Sequence, residues 1–140
     1  MERRRCGKSD IDISVLGIGC WSFGGGDYWG PQDQRDVEAV IQAAMDCGIN
    51  YFDTAEAYND GRSEESLGKA LKGRRHEAVI GTKIIPENTK PSVLRKHCEA
   101  SLHRLQTDYI DIYMVHWPIP DRKQVEDAFA TLMELQSEGK

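Results

Sequence analysis

Apolar and polar positions along the chain switch repeatedly between two periods. Residues 14–23, SVLGIGCWSF, form a short apolar run that feeds the glycine loop GGGDYWG, the pattern of a strand ending in a turn. The period then lengthens: between Pro31 and Gly48, Val37, Ile41 and Ala44 recur at helical spacing, with Pro31 suited to a first turn and Gly48 to a stop. NYFDT reads as a second strand, and RSEESLGKALKG as a short helix with Ser63 as its cap and Gly73 as its exit. Residues 77–84, EAVIGTKI, predict a third strand. The stretch TKPSVLRKHCEASLHRLQ predicts a helix with Thr89 near its start and Leu94, Cys98, Leu102 and Leu105 on one face. Residues 108–117, DYIDIYMVHW, give a fourth strand. KQVEDAFATLMELQSEGK places Val125, Phe129, Leu132 and Leu135 on a last helical stripe that stops at Gly139.

Strand followed by helix, four times with short connections, predicts parallel strands joined by right-handed helical crossovers, an α/β fold. Each unit takes roughly 30 residues, the size of one βα step, and the units share no sequence self-similarity of the kind a solenoid shows. Such units could build an open sheet or part of an eight-unit barrel. At 140 residues, one domain spanning residues 1–140 is the expectation.

Composition narrows the functional classes. A formal charge of -5 provides no field to gather nucleic acid or anionic lipid, and no segment approaches the roughly 18 consecutive apolar residues of a membrane span. The basic start, MERRR, reads as a solvated tail, and Asp10 and Asp12 before the next apolar run argue against a signal peptide. Cys6, Cys20, Cys47 and Cys98 are widely spaced, without a C-x-x-C, so reduced thiols in a cytoplasmic protein are expected. His97 and His103 lie six apart on a predicted helix, not at metal-binding spacing, and read as surface residues. Glu64, Glu65 and Lys69 read as ordinary surface pairing along a helix.

Parallel α/β folds gather their chemistry at the carboxyl ends of the strands. The second strand here ends in Asp53 with Tyr58 just beyond, the third ends at Lys83, and the fourth at His116 and Trp117. The set is chemically coherent. A phenol with an ordinary pKa of about 10 needs a nearby cation to exchange its proton near neutrality, and a lysine supplies one. A carboxylate keeps that lysine charged in a partly dry crevice, and a histidine can hydrogen-bond a substrate oxygen. Such a group of side chains suits a site that protonates a carbonyl oxygen while something else delivers the reducing equivalent. Asp53 with His116 could also be imagined as metal ligands, but no second histidine at a strand exit and no H-x-H pair accompanies them; no metal site is expected.

GINYFDTAEAY, GTK on the next strand and YIDIYMVHWP resemble the motifs of the aldo-keto reductases. The resemblance covers nearly the whole chain from about Gly7 onward and implies a fold of four of the eight units of a TIM barrel, a truncated barrel forming the N-terminal half. It implies NADPH-dependent reduction of aldehydes or ketones. The family's catalytic tetrad falls on Asp53, Tyr58, Lys83 and His116. Tyr58 would be the general acid, Lys83 would ease loss of its proton, Asp53 would hold Lys83, and His116 would orient the carbonyl. SDIDISVLGIGCWSFGG resembles the family's first barrel strand, which implies cofactor contacts from Gly19, Cys20 and Trp21 together with Asp53. Trp21, Trp29 and Trp117 would line the substrate pocket. The family's carboxamide-holding groups, its stacking aromatic and its phosphate-binding loops belong to the second half of the barrel, which this chain does not contain. A small carbonyl compound is therefore the implied substrate, with self-association through exposed strand edges expected. The alternative is a non-catalytic truncated barrel that serves as a fragment, assembly or regulatory partner.

Overall fold

The computed structural model describes residues 1–140. Its elements are β1 (Arg3–Arg5), β2 (Asp12–Ser14), β3 (Gly17–Gly19), α1 (Gln34–Asp46), β4 (Tyr51–Asp53), α2 (Arg62–Ala70), β5 (Val79–Ile84), α3 (Pro91–Leu105), β6 (Ile112–Val115) and α4 (Arg122–Ser137). β3, β4, β5 and β6 form one sheet, in that order. All three pairings are parallel, and their register sets Gly19 beside Asp53, Asp53 beside Gly81, and Gly81 beside Ile112. Each helix returns the chain to the next strand position, as parallel pairing requires, so the four helices pack side by side in chain order. The result is a four-stranded arc of a (β/α) barrel.

The core lies where the helices meet the sheet. Ile41 of α1, Leu67 of α2 and Leu94 and Leu105 of α3 close over Phe52, Ile80 and Ile84, all of them essentially inaccessible. Leu94, Cys98, Leu102 and Leu105 are buried together, as their spacing predicts. Polar groups tie the same layer. Glu64 is fully buried and accepts hydrogen bonds from Thr82 Oγ1 at 2.6 Å and Arg104 Nε at 2.7 Å. Its expected role in surface pairing is therefore corrected. The carboxylate faces the sheet, where Arg104 from α3 neutralises it, because an unpaired charge there would be costly.

Four further expectations change. The basic start is not a tail: Arg3–Arg5 pairs antiparallel with Asp12–Ser14 to make a hairpin at the amino ends of the strands. Asn50, one residue before β4, fixes it there by accepting from Ser14 N–H at 2.7 Å and donating to Asp12 O at 2.9 Å. A cavity of about 420 Å³ lies between this hairpin and the strand starts, at the opposite end of the sheet from Asp53 and Lys83. α1 begins after Asp33, whose side chain accepts from the Arg35 N–H, so Pro31 precedes the helix instead of opening it. Ser63 is not the cap of α2. Gly61, with φ +82°, precedes the helix, and the Ser63 hydroxyl turns inward to donate to Cys20 O at 2.6 Å. Phe129, expected on a buried stripe of α4, is 56 % exposed, and Met133 is 69 % exposed. The helix instead buries Ala128, Thr131 and Leu135. Phe129 and Met133 flank β6, which pairs with β5 alone.

α2 and α3 approach so closely at Gly68 that an added Cβ would lie 2.6 Å from Leu105 O and 2.8 Å from Arg104 O. Those oxygens belong to backbone and cannot swing away. Gly68→Ala should therefore destabilise the chain by about 1–3 kcal/mol despite alanine's better helix propensity, read as a lower urea midpoint at unchanged slope.

Candidate active site

The sheet register decides which side chains meet. Alternate residues of a strand point to opposite faces: Thr82 turns to the helices and bonds Glu64, so Lys83 turns to the other face, toward Asp53 on the neighbouring strand. Lys83 Nζ donates to Asp53 Oδ2 at 2.8 Å, Thr54 O at 2.7 Å and Tyr58 Oη at 3.3 Å. An ammonium has three protons to give, and all three are directed. The Lys83 side chain is 13 % exposed and that of Asp53 33 %, so the pair lies at the dry floor of a crevice that opens to water on the Asp53 side.

Tyr58 reaches this floor through an unusual turn. Asn59 and Asp60 adopt left-handed conformations, φ +52° and +56°, ahead of Gly61, a region that Asn and Asp tolerate better than other side chains. Asn59 Nδ2 donates to the carbonyls of Trp21 at 2.8 Å and Phe23 at 2.9 Å, which ties the turn to the segment after β3. Because Tyr58 Oη accepts from Lys83, its own proton points away from the ammonium, free for an acceptor in the crevice.

His116 continues the ladder beyond β6, its N–H donating to Ile84 O at 2.8 Å. Its ring stands edge-on to Tyr58, 5.4 Å between centroids. Burial first, and then the charge on Lys83, hold the imidazole below its usual pKa. Its Nδ1 is buried without a hydrogen-bond partner. Tyr51 also faces Asp53, at 3.4 Å; burial and then the Asp53 charge push this phenol up to about 12, so it stays protonated. The four side chains singled out in the sequence, Asp53, Tyr58, Lys83 and His116, are thus brought together.

Aromatic rings surround them. Trp21 lies 6.1 Å from Tyr58, stacks on Tyr28 at 5.4 Å and meets Trp29 edge-on at 5.2 Å, while Trp117 lies 4.3 Å from the His116 ring. Trp21, Trp29 and Trp117 all remain substantially exposed, as walls of an open crevice would be.

Cys20 does not join this surface. It is fully buried, its thiol is raised well above the usual range by burial first and by Asp53 second, its N–H is used on Asp53 O and its carbonyl on Ser63. Its place two residues after Ile18 in the sequence hid this, since the chain turns immediately beyond Gly19. Conversely, sequence reasoning missed Thr54, Ser63, Asn59 and Glu56. The Ser63 proton goes to Cys20 O, so Thr54 Oγ1 donates to Ser63 Oγ at 2.8 Å. Their hydroxyls therefore fix the β4 exit against the β3 exit. His97, read as a surface residue, holds Glu56 at 2.6 Å. Nothing in local spacing signals a contact 41 positions apart.

Beside Gly19 the direction a side chain would occupy is empty, and Asp53 Oδ1 keeps acceptor capacity, with Tyr51 alone near it. Open space beside a carboxylate with a spare acceptor oxygen suits a planar group that carries hydrogen-bond donors, such as a carboxamide.

The model of the Aldo/keto reductase family matches residues 15–140. Aldo-keto reductase YhdN of Bacillus subtilis (strain 168) is 39% identical to this chain, the match covering 100% of this chain and 45% of YhdN. The NADH-specific methylglyoxal reductase of Escherichia coli (strain K12) is 38% identical, with 100% and 50% covered. Among solved structures, an aldo-keto reductase from Klebsiella pneumoniae in complex with NADPH superposes with a TM-score of 0.79 at 35% identity, over 93% of this chain and 44% of that one. The chain spans about half the length of the curated relatives it matches.

The depressed pKa of His116 fixes a sign. The folded protein binds this proton less readily than the unfolded chain, whose histidine titrates at about 6.5, so His116 contributes stability that is gained as pH rises toward that value and lost as pH falls. Imidazole NMR should show a midpoint below the ordinary value, and His116→Gln should flatten the rise of the urea midpoint with pH in that window.

Proposed function

Because the chain belongs to the aldo/keto reductase family, we propose that its crevice is the acid–base half of a site that reduces aldehydes and ketones to alcohols with NADPH. The observation that carries this reading is the ammonium of Lys83, donating at once to the Asp53 carboxylate and to the Tyr58 oxygen. When bound, the nucleotide would supply a hydride for the carbonyl carbon. Tyr58 gives its proton to the carbonyl oxygen as negative charge builds there, and the hydrogen bond from Lys83 stabilises the phenolate that remains. Asp53 accepts from the Lys83 ammonium at 2.8 Å and fixes its place beside Tyr58. His116, edge-on to Tyr58, orients the substrate oxygen and, held largely neutral, does so as a hydrogen-bonding group that adds no second cation beside Lys83. Gly19, Trp21 and Asp53 would hold the nicotinamide end, and Trp21, Trp29 and Trp117 the substrate's apolar part. Cys20 has no part in cofactor contact, since its groups are all committed to the core.

A second reading rests on a different feature. β6 is paired on one side only, and exposed Phe129 and Met133 lie beside it, so this face suits assembly with a second copy of the chain, edge to edge, in which role the crevice need not turn over. That reading expects a mass twice the chain's 15.8 kDa by light scattering, reduced to the single-chain mass by Phe129→Glu. A single-chain mass for the unaltered protein would remove it.

For the reductase reading the decisive test is titration of NADPH, with NADH in parallel, followed by nucleotide fluorescence and by turnover of a simple aldehyde. Tyr58→Phe should cut turnover by about 100-fold or more and leave nucleotide binding unchanged, since it removes one proton donor and no apolar surface. Equal turnover in the two proteins would reject Tyr58 as the acid.

A further inference from the structure

Glu56 lies two residues before Tyr58, and its side chain, 7 % exposed, is almost wholly withdrawn from water. Buried carboxylates need partners, and this one has three. Oε1 accepts from the Ile85 N–H at 3.0 Å and from Asn88 Nδ2 at 3.0 Å, while Oε2 lies 2.6 Å from His97 Nδ1. The short carboxylate contact assigns the proton to Nδ1, because a carboxylate can only accept. Asn88 Nδ2, 3.2 Å from the same ring nitrogen, then finds no acceptor in it, and its bond to Oε1 is the effective one.

The place of this carboxylate in the sheet matters more than its partners. Beyond Asp53 the backbone ladder between the β4 and β5 segments continues, with Thr54 N–H on Gly81 O at 2.8 Å and Glu56 N–H on Lys83 O at 3.2 Å. In a parallel ladder bonds recur every two residues, so the Ile85 N–H is the next donor and the Glu56 carbonyl its expected acceptor. The chain leaves the sheet at that point to form the turn that carries Tyr58, and Glu56 Oε1 receives the Ile85 N–H in place of the carbonyl. One residue therefore binds Lys83 through its backbone, extends the ladder through its side chain, and releases the backbone toward Tyr58.

We propose that Glu56 is a positioning residue that fixes the spacing of Tyr58 and Lys83, with His97 of α3 as the support that holds its carboxylate in place; its bearing on catalysis rests on the reductase reading above. Without Glu56 the partly buried Ile85 N–H loses its acceptor, the two strand exits separate, and Tyr58 Oη drifts from the ammonium. Glu56 touches no substrate and exchanges no proton with it. Its effect is transmitted entirely through two neighbours in the sequence and one rung of the sheet.

The test is an NMR measurement on the whole chain, uniformly labelled with nitrogen-15 and carbon-13, that needs neither nucleotide nor turnover. The unaltered protein should show cross-relaxation between the Tyr58 ring protons and the Lys83 side chain, whose Nζ lies 4.8 Å from the ring centroid, and a protonated Nδ1 at His97. Glu56→Ala should abolish the cross-peak while the amide spectrum of α1 and α4 stays in place. Glu56→Gln, which keeps an acceptor for Ile85, should restore it and convert His97 Nδ1 to a bare acceptor facing the new carboxamide. His97→Phe, at a position 37 % exposed, provides the second variant should the alanine form not fold: it should weaken the cross-peak and speed exchange of the Ile85 amide. An undiminished cross-peak in Glu56→Ala or in His97→Phe, or a bare Nδ1 in the unaltered protein, would overturn the proposal. Loss of nucleotide binding by the unaltered chain would instead count against the reductase reading and leave this result standing.

Discussion

The ammonium of Lys83 is the demand to which the rest of the crevice answers. A cation held mostly away from water would surrender its proton or be expelled unless its donors were met, and here one carboxylate, one carbonyl and one phenol meet them. Satisfying three donors at once requires that β4 and β5 be in a single register, that the β4 segment leave the sheet soon after Asp53, and that the following turn bring Tyr58 back over the strand. The parallel ladder supplies the first condition. The left-handed residues Asn59 and Asp60 supply the last, held by the bonds from Asn59 to the carbonyls of Trp21 and Phe23. Strain of this kind persists only where surrounding contacts over-determine it, and those two carbonyls provide such contacts on the β3 side.

The two faces of β5 show how one short strand serves two purposes. Thr82 and Lys83 are adjacent in sequence and point to opposite sides. Thr82 meets a fully buried glutamate whose charge is balanced by Arg104, and Lys83 meets Asp53 in the crevice. Both are ion pairs shielded from water, but their settings differ. Glu64 and Arg104 lie in the helix layer and lock α2 against α3. Asp53 and Lys83 lie on the face the helices leave uncovered, where Asp53 stays partly open to water. Stability and chemistry are thus built from the same kind of interaction on the two sides of one sheet.

Much of the fold was legible because periodic burial leaves a direct trace. Leu94, Cys98, Leu102 and Leu105 announce a helix face, and the ends of the apolar runs mark Asp53, Lys83 and His116 as neighbours at the carboxyl ends of the strands. What was not legible depends on partners far along the chain. Arg3–Arg5 shows no alternation, being exposed at all three positions, so only its pairing with Asp12–Ser14, nine positions on, reveals it as a strand. Ser63 looks like a helix cap by every local criterion, yet its hydroxyl goes to Cys20, 43 positions away. Glu64 and His97 look like surface residues for the same reason, and Cys20 like a crevice residue. Phe129 erred in the opposite direction, because helical spacing marks an apolar face without stating what covers it.

Sheet order and chain order coincide from β3 to β6, and this shapes how the crevice could assemble. The bonds that define it close loops of similar size: Lys83 to Asp53 across 30 positions, Lys83 to Tyr58 across 25, Ile85 to Glu56 across 29. Since the entropy of closing a loop grows only with the logarithm of its length, no one of these contacts is much harder to reach than another. Each unit meets chiefly the units before and after it, a nearest-neighbour pattern resembling that of repeat proteins. Order can therefore spread along the chain one unit at a time, and the crevice is complete only when the last of its four contributing segments has docked.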